Sequence, residues 1–104
     1  KSQQEIAYEV QKVQRPVKES WDRVVKGVDR ITKLLEITKM TPADQTEARL
    51  LLDKAAEIAD LIKKDGSWGA HASHYTKDRL AAAESYLAKA QVLIDNGGYR
   101  HATK

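Results

Sequence analysis

Twelve consecutive residues, Asp65-Gly66-Ser67-Trp68-Gly69-Ala70-His71-Ala72-Ser73-His74-Tyr75-Thr76, hold most of the chemistry open to this chain. A neutral imidazole binds metals through a ring nitrogen, and His71 stands just ahead of a predicted helix whose positive end disfavours the imidazolium. Gly66 and Gly69 admit backbone angles closed to other residues, and Trp68 between them carries a large apolar face. The pattern predicts a turn that presents an imidazole and an indole outward to a neighbour, with Trp68, His74 and Tyr75 as its packing or partner contacts. The plainer alternative has His71 hydrogen-bonded within the loop, where it helps to seat Trp68. His74 follows His71 by three residues, which suits a shared zinc or copper ion only where both are helical, and no third ligand is close in sequence.

Other chemistries find no support. There is no Gly-x-x-x-x-Gly-Lys-Ser/Thr phosphate loop, His-Glu-x-x-His helix or Gly-x-Ser-x-Gly elbow. Glu47, Glu57, Asp60 and Glu84 sit among lysines and arginines at helical spacing, the pattern of a solvated face. The absence of cysteine excludes disulfides, thiolate chemistry, Cys-based zinc sites and haem attachment through Cys-x-x-Cys-His within this chain. The chain alone is therefore expected not to be an enzyme. Its 18 Lys and Arg and 15 Asp and Glu give a net charge of +3, interspersed where a nucleic-acid binder would cluster them. Charges also interrupt every apolar run short of the roughly 18 residues of a membrane span. The first residue is Lys1 in place of Met, which suggests a processed product or a piece of something longer.

The elements that must position the turn are helical. At 104 residues the chain is expected to form one domain, 1–104. Ile6, Val10, Val13, Val17, Trp21, Val24, Val28, Ile31 and Leu35 recur in steps of three or four, which predicts a long amphipathic helix over about 2–38 with Ser2 as N-cap. Pro16 removes a backbone bond inside that pattern, so a kink or a restart is expected near Gln14 and Arg15. Thr41, Pro42 and Asp44 predict the start of a second helix over 42–64, with Ala48, Leu51, Ala55, Ile58, Ala59 and Ile62 inward and a stop at Gly66. A third helix over 74–96 carries Leu80, Ala83, Leu87, Ala90 and Ile94 and is expected to end at Asn96-Gly97-Gly98. The expected fold is an all-α, antiparallel three-helix bundle with a long, Pro-kinked first helix. That first helix should overhang its shorter partners, leaving Ile6, Val10 and Val13 as an apolar interface.

The turn and its flanking helices resemble the C-terminal helical region of multihaem c-type cytochromes related to the cytochrome c nitrite reductases. There a loop of the type Asp-Gly-Ser-Trp-Gly-x-His-Asn-Pro-x-Tyr-Thr follows two helices and leads into a third. The match covers Asp65, Gly66, Ser67, Trp68, Gly69, His71, Tyr75 and Thr76, whereas Ala72 and Ser73 replace Asn-Pro. The resemblance implies a periplasmic or otherwise extracytoplasmic accessory domain or subunit that buttresses a haem-bearing body. His71 is then a candidate axial ligand to a haem c carried by a partner chain or segment, since none can be attached here covalently. A weaker likeness, over Tyr75 to His101, is to small periplasmic helical-repeat proteins, some of which bind metals through scattered histidines. Two alternatives stay open: a free-standing helical interaction module that binds a partner or itself through the end of the first helix, and a small bundle binding metal or haem through His71 and His74.

Overall fold

The computed structural model describes the backbone of residues 3–70 and 72–102 and the side chains of residues 14–70 and 72–97. Three helices are found among them: α1 (Gln3–Ile37), α2 (Pro42–Asp65) and α3 (Ser73–Ala102). They form an all-α bundle measuring 66 × 18 × 18 Å. Ser2 lies outside the described residues.

The core follows from spacing. On α3 the buried positions Thr76, Leu80, Ala83, Leu87, Ala90, Ile94 and Gly97 alternate steps of four and three, so that they form one nearly straight seam. Val17, Val24, Ile31 and Leu35 of α1 are buried with it in the same core. On α2 the same alternation buries Ala48, Leu52, Ala55, Ala59 and Ile62, so Leu52 takes the inner position assigned to Leu51, which is half-buried at the edge. Small residues on α2 and α3 let these two helices share the largest interface of the bundle.

The helix ends show which local signals prevail. Thr41, at φ −63° and ψ 152°, accepts a hydrogen bond from the Asp44 backbone N–H at 3.2 Å, with Pro42 at the first helical position, as predicted. No restart interrupts α1 at Pro16. The helix is held there by packing of the next residue, Val17, which is only 1% exposed. The largest correction concerns α3, which continues through Asn96-Gly97-Gly98 to Ala102 instead of stopping at 96. Gly97 lies on the inner seam against the α1–α2 connection, where a Cβ would come within 2.9 Å of Met40 Cγ. The glycine therefore permits close approach and does not cap the helix.

Register sets the two ends of the bundle apart. Gln14 meets Ser67 and Trp21 meets Ala59, so contacts descend α2 as they climb α1. Arg23 meets Glu84, which brings the start of α3 level with about residue 12 of α1 at 1.5 Å per residue. The first turns of α1 thus run past the α2–α3 turn as helix; the side chains of Ile6, Val10 and Val13 lie outside the described residues.

Two outcomes follow for the 104-residue chain in urea melts. Ile31→Ala, in a side chain with no exposed surface, should cost about 2–5 kcal/mol. Ala72, at the residue before α3, cannot cap, so Ala72→Asn should stabilise by about 0.5–2 kcal/mol.

Candidate functional site

The turn between α2 and α3 is held by its own backbone and by α1. Gly66 closes α2 in the left-handed conformation (φ 72°, ψ −1°), its N–H donating to the Ile62 carbonyl at 3.2 Å. The Ser67 N–H and hydroxyl both donate to the Asp65 carboxylate, and the Ala70 N–H donates to the Ser67 carbonyl at 3.0 Å. That same carbonyl accepts from the Gln14 side-chain amide, also at 3.0 Å, so the turn is tied to the first helix across 53 residues of sequence.

Trp68 is the strained member. Its φ of 54° is left-handed, a conformation that costs a non-glycine residue on the order of 1–3 kcal/mol, and Gly69 beside it, at φ 87°, is buried. The indole packs edge-on against Trp21, with ring centroids 5.2 Å apart and planes at 81°. Trp21 is itself fixed by its Nε1–H, which donates to the Ala59 carbonyl of α2 at 2.8 Å. The Lys18 ammonium lies 5.7 Å from the Trp68 ring centre. Side-chain contacts with α1 thus oppose the backbone strain.

The sequence-predicted site residues separate into three groups. Trp68 does not present its indole outward as expected: it is half-buried against the core, because Trp21 offers it an apolar edge. His74 and Tyr75 are exposed on the first turn of α3, Tyr75 by 67%. His71 lies outside the described residues, and with it half of the His71 and His74 pair considered for metal. Among the described residues no group of three metal-ligating side chains comes together.

A groove of about 400 Å³ opens beside the turn, between the end of α2 and the start of α3. Its lining includes Leu61, Ile62, Asp65, Tyr75, Thr76 and Arg79. Thr76 is the buried polar residue among those described, its N–H bonded to the Ala72 carbonyl at 3.0 Å. Among the described residues no buried side-chain polar atom lacks a partner. Sequence reasoning missed Gln14, Leu61 and Arg79. Leu61 alone carried a signal, as a leucine standing out of phase with the inner seam of α2.

No family model matches the sequence. The chain is 44% identical over 94 residues to the dissimilatory sulfite reductase MccA of Wolinella succinogenes, which covers 90% of this chain and 13% of that protein. A solved structure, the Wolinella succinogenes octaheme sulfite reductase MccA in form II, matches with a TM-score of 0.86 and 41% identity over 91% of this chain and 14% of the other. The chain therefore spans about an eighth of the length of the relative it matches, and it is related to a helical segment of a multihaem protein. No transmembrane candidate occurs among the described helices: none is long and apolar enough to cross a membrane.

The paired indoles set a measurable coupling. In a double-mutant cycle of Trp21→Leu and Trp68→Leu, followed by urea unfolding, the coupling should be about 0.5–1.5 kcal/mol, the worth of an aromatic pair beyond its buried area. Strict additivity would show that the two rings do not hold the turn together.

Proposed function

We propose that this chain is a non-catalytic helical domain or subunit that packs on the haem-bearing body of a multihaem electron-transfer assembly outside the cytoplasm. In this reading the turn at 66–71 holds His71 as an axial ligand for a haem carried by that body. The observation that carries it is the clamped turn: a strained Trp68, a paired Trp21 and a Gln14 amide fix the backbone at Ser67 and Trp68, a few residues ahead of His71 in sequence. Such fixing lowers the entropy lost when a side chain is committed to a metal. Kinship with a segment of an octahaem protein supports the same reading, and the narrower likeness to nitrite reductases rests on the turn motif.

The side chains present suit a haem offered from outside. Without cysteine the chain cannot attach one, and the groove beside the turn is at the small end of ligand-binding clefts, open along one side. A haem, when bound, supplies a one-electron redox centre whose potential depends on its axial ligands. What this chain contributes is position: α1 holds the turn, and α3 begins with its positive end directly after it.

A second reading keeps a specific observation behind it. The N-terminal turns of α1 extend as helix beyond the α2–α3 turn, which suits docking onto a partner helix or a second copy. Both readings make this chain a packing element.

His71→Ala decides between ligation and packing alone. The variant should keep its helical circular dichroism and should change the Soret and visible bands of the haem assembly. An unchanged spectrum would leave only the packing role.

A further inference from the structure

A second seam runs along the outside of the bundle, where α2 meets α3. On α2 it holds Leu51, Lys54, Ile58, Leu61 and Asp65, and on α3 Tyr75, Arg79, Ala82, Tyr86, Lys89 and Leu93, again in steps of three and four. Two contacts place the rows side by side: Ile58, Leu61 and Asp65 line one groove with Tyr75 and Arg79, and the Lys54 ammonium lies 5.6 Å from the Tyr86 ring centre. The core covers this seam incompletely. Leu61 is 53% exposed and Tyr75 67% exposed, and Leu51, Ala82, Tyr86 and Leu93 are only partly buried.

Two rows of this spacing form the holes that receive side chains of another helix. Backbone groups of α2 and α3 are largely bonded within each helix, so the seam offers few partners to an extended peptide. From Tyr75 to Leu93 it is about 27 Å long at the helical rise, room for about five turns of an incoming helix. Tyrosine and arginine, both present in it, are the side-chain types on which docked surfaces most often anchor.

The charges in the seam define the occupant. Lys54 lies over Tyr86 and Asp65 accepts from Ser67, so each has a partner within the chain. Arg79 and Lys89 make no ion pair among the described residues, whereas Lys26, Lys33 and Lys64 each pair with an aspartate one turn away. A helix laid in the seam takes these two cations partly out of water, which costs free energy unless carboxylates face them. They stand about 15 Å apart along α3, so the matching carboxylates lie about ten residues apart on the incoming helix.

We infer that the seam receives a helix of the haem-bearing body, apolar along one stripe and carrying carboxylates opposite Arg79 and Lys89. The inference rests on the functional reading above and extends the contact from the turn along the bundle. The seam begins beside that turn, at Leu61 and Tyr75, and the related segment of the Wolinella protein is 13% of its chain, so a bundle of this form there belongs to a much longer polypeptide.

The test compares the isolated 104-residue chain with the native assembly purified through it. Hydroxyl-radical labelling read by mass spectrometry should fall several-fold in the assembly at Leu61, Tyr75 and Leu93, and stay unchanged at Val25, which lines the groove between α1 and α2. A carbodiimide, which joins amines to carboxylates in contact, should link Lys89 to an aspartate or glutamate outside these 104 residues. Leu61→Lys and Arg79→Glu should each weaken retention in the assembly about tenfold, with circular dichroism confirming that the helices persist. Equal labelling of the seam in both states, or protection confined to Val25, overturns the inference, while haem bands in the same assembly leave the functional reading standing. A Lys89 link to a second copy of this chain overturns the occupant. A protected and cross-linked seam in an assembly without haem supports the helix seat and overturns the functional reading, and with it the identity of the occupant.

Discussion

Everything distinctive about this bundle depends on how α1 grips the turn between the other two helices. Trp21 is the pivot: its ring supports Trp68 edge-on, and its N–H is fixed to the α2 backbone at Ala59. Gln14, about two turns earlier on the same helix, bonds the Ser67 carbonyl and holds the other side. A connection that merely joined α2 to α3 would need no tryptophan in a left-handed conformation. The strain persists because the surrounding contacts over-determine the turn, an arrangement typical of sites where a backbone must be held in one place.

The seam of the bundle makes this grip possible. Alternating steps of four and three keep the inner faces in register over the described length, with leucine and isoleucine from all three helices and the buried alanines on α2 and α3. Close packing of α2 on α3 brings the start of α3 beside the end of α2, and the groove lies between them next to the turn. Leu61, Tyr75 and Arg79 gather there from two helices because of that register. Fold and candidate site are therefore consequences of one helical register.

Most of the fold was legible in the sequence because it is written in local periodicity. Three helices, the Thr41 cap with Pro42 and the left-handed stop at Gly66 all rest on residues within a turn or two of each other. The failures share a cause. Asn96-Gly97-Gly98 looks like a stop from its neighbours alone, and only Met40, distant in sequence, shows that Gly97 is a point of close approach. Leu51 and Leu52 are adjacent candidates for one inner position, and the choice between them is made by the facing helices. For the site, the motif of the turn was visible, but the inward orientation of Trp68 depends on Trp21, and the groove on the pairing of α2 with α3. Periodicity names the faces of helices and leaves their partners to tertiary packing.

The central claim is that a haem-bearing body stands against this turn. The most direct measurement is the visible absorption spectrum of the native assembly isolated through this chain, recorded oxidised and after reduction with dithionite. The account predicts haem bands in stoichiometric proportion to the chain, sharpening on reduction as low-spin haem does. A pure, intact assembly that contains the chain and shows no haem absorption would contradict it.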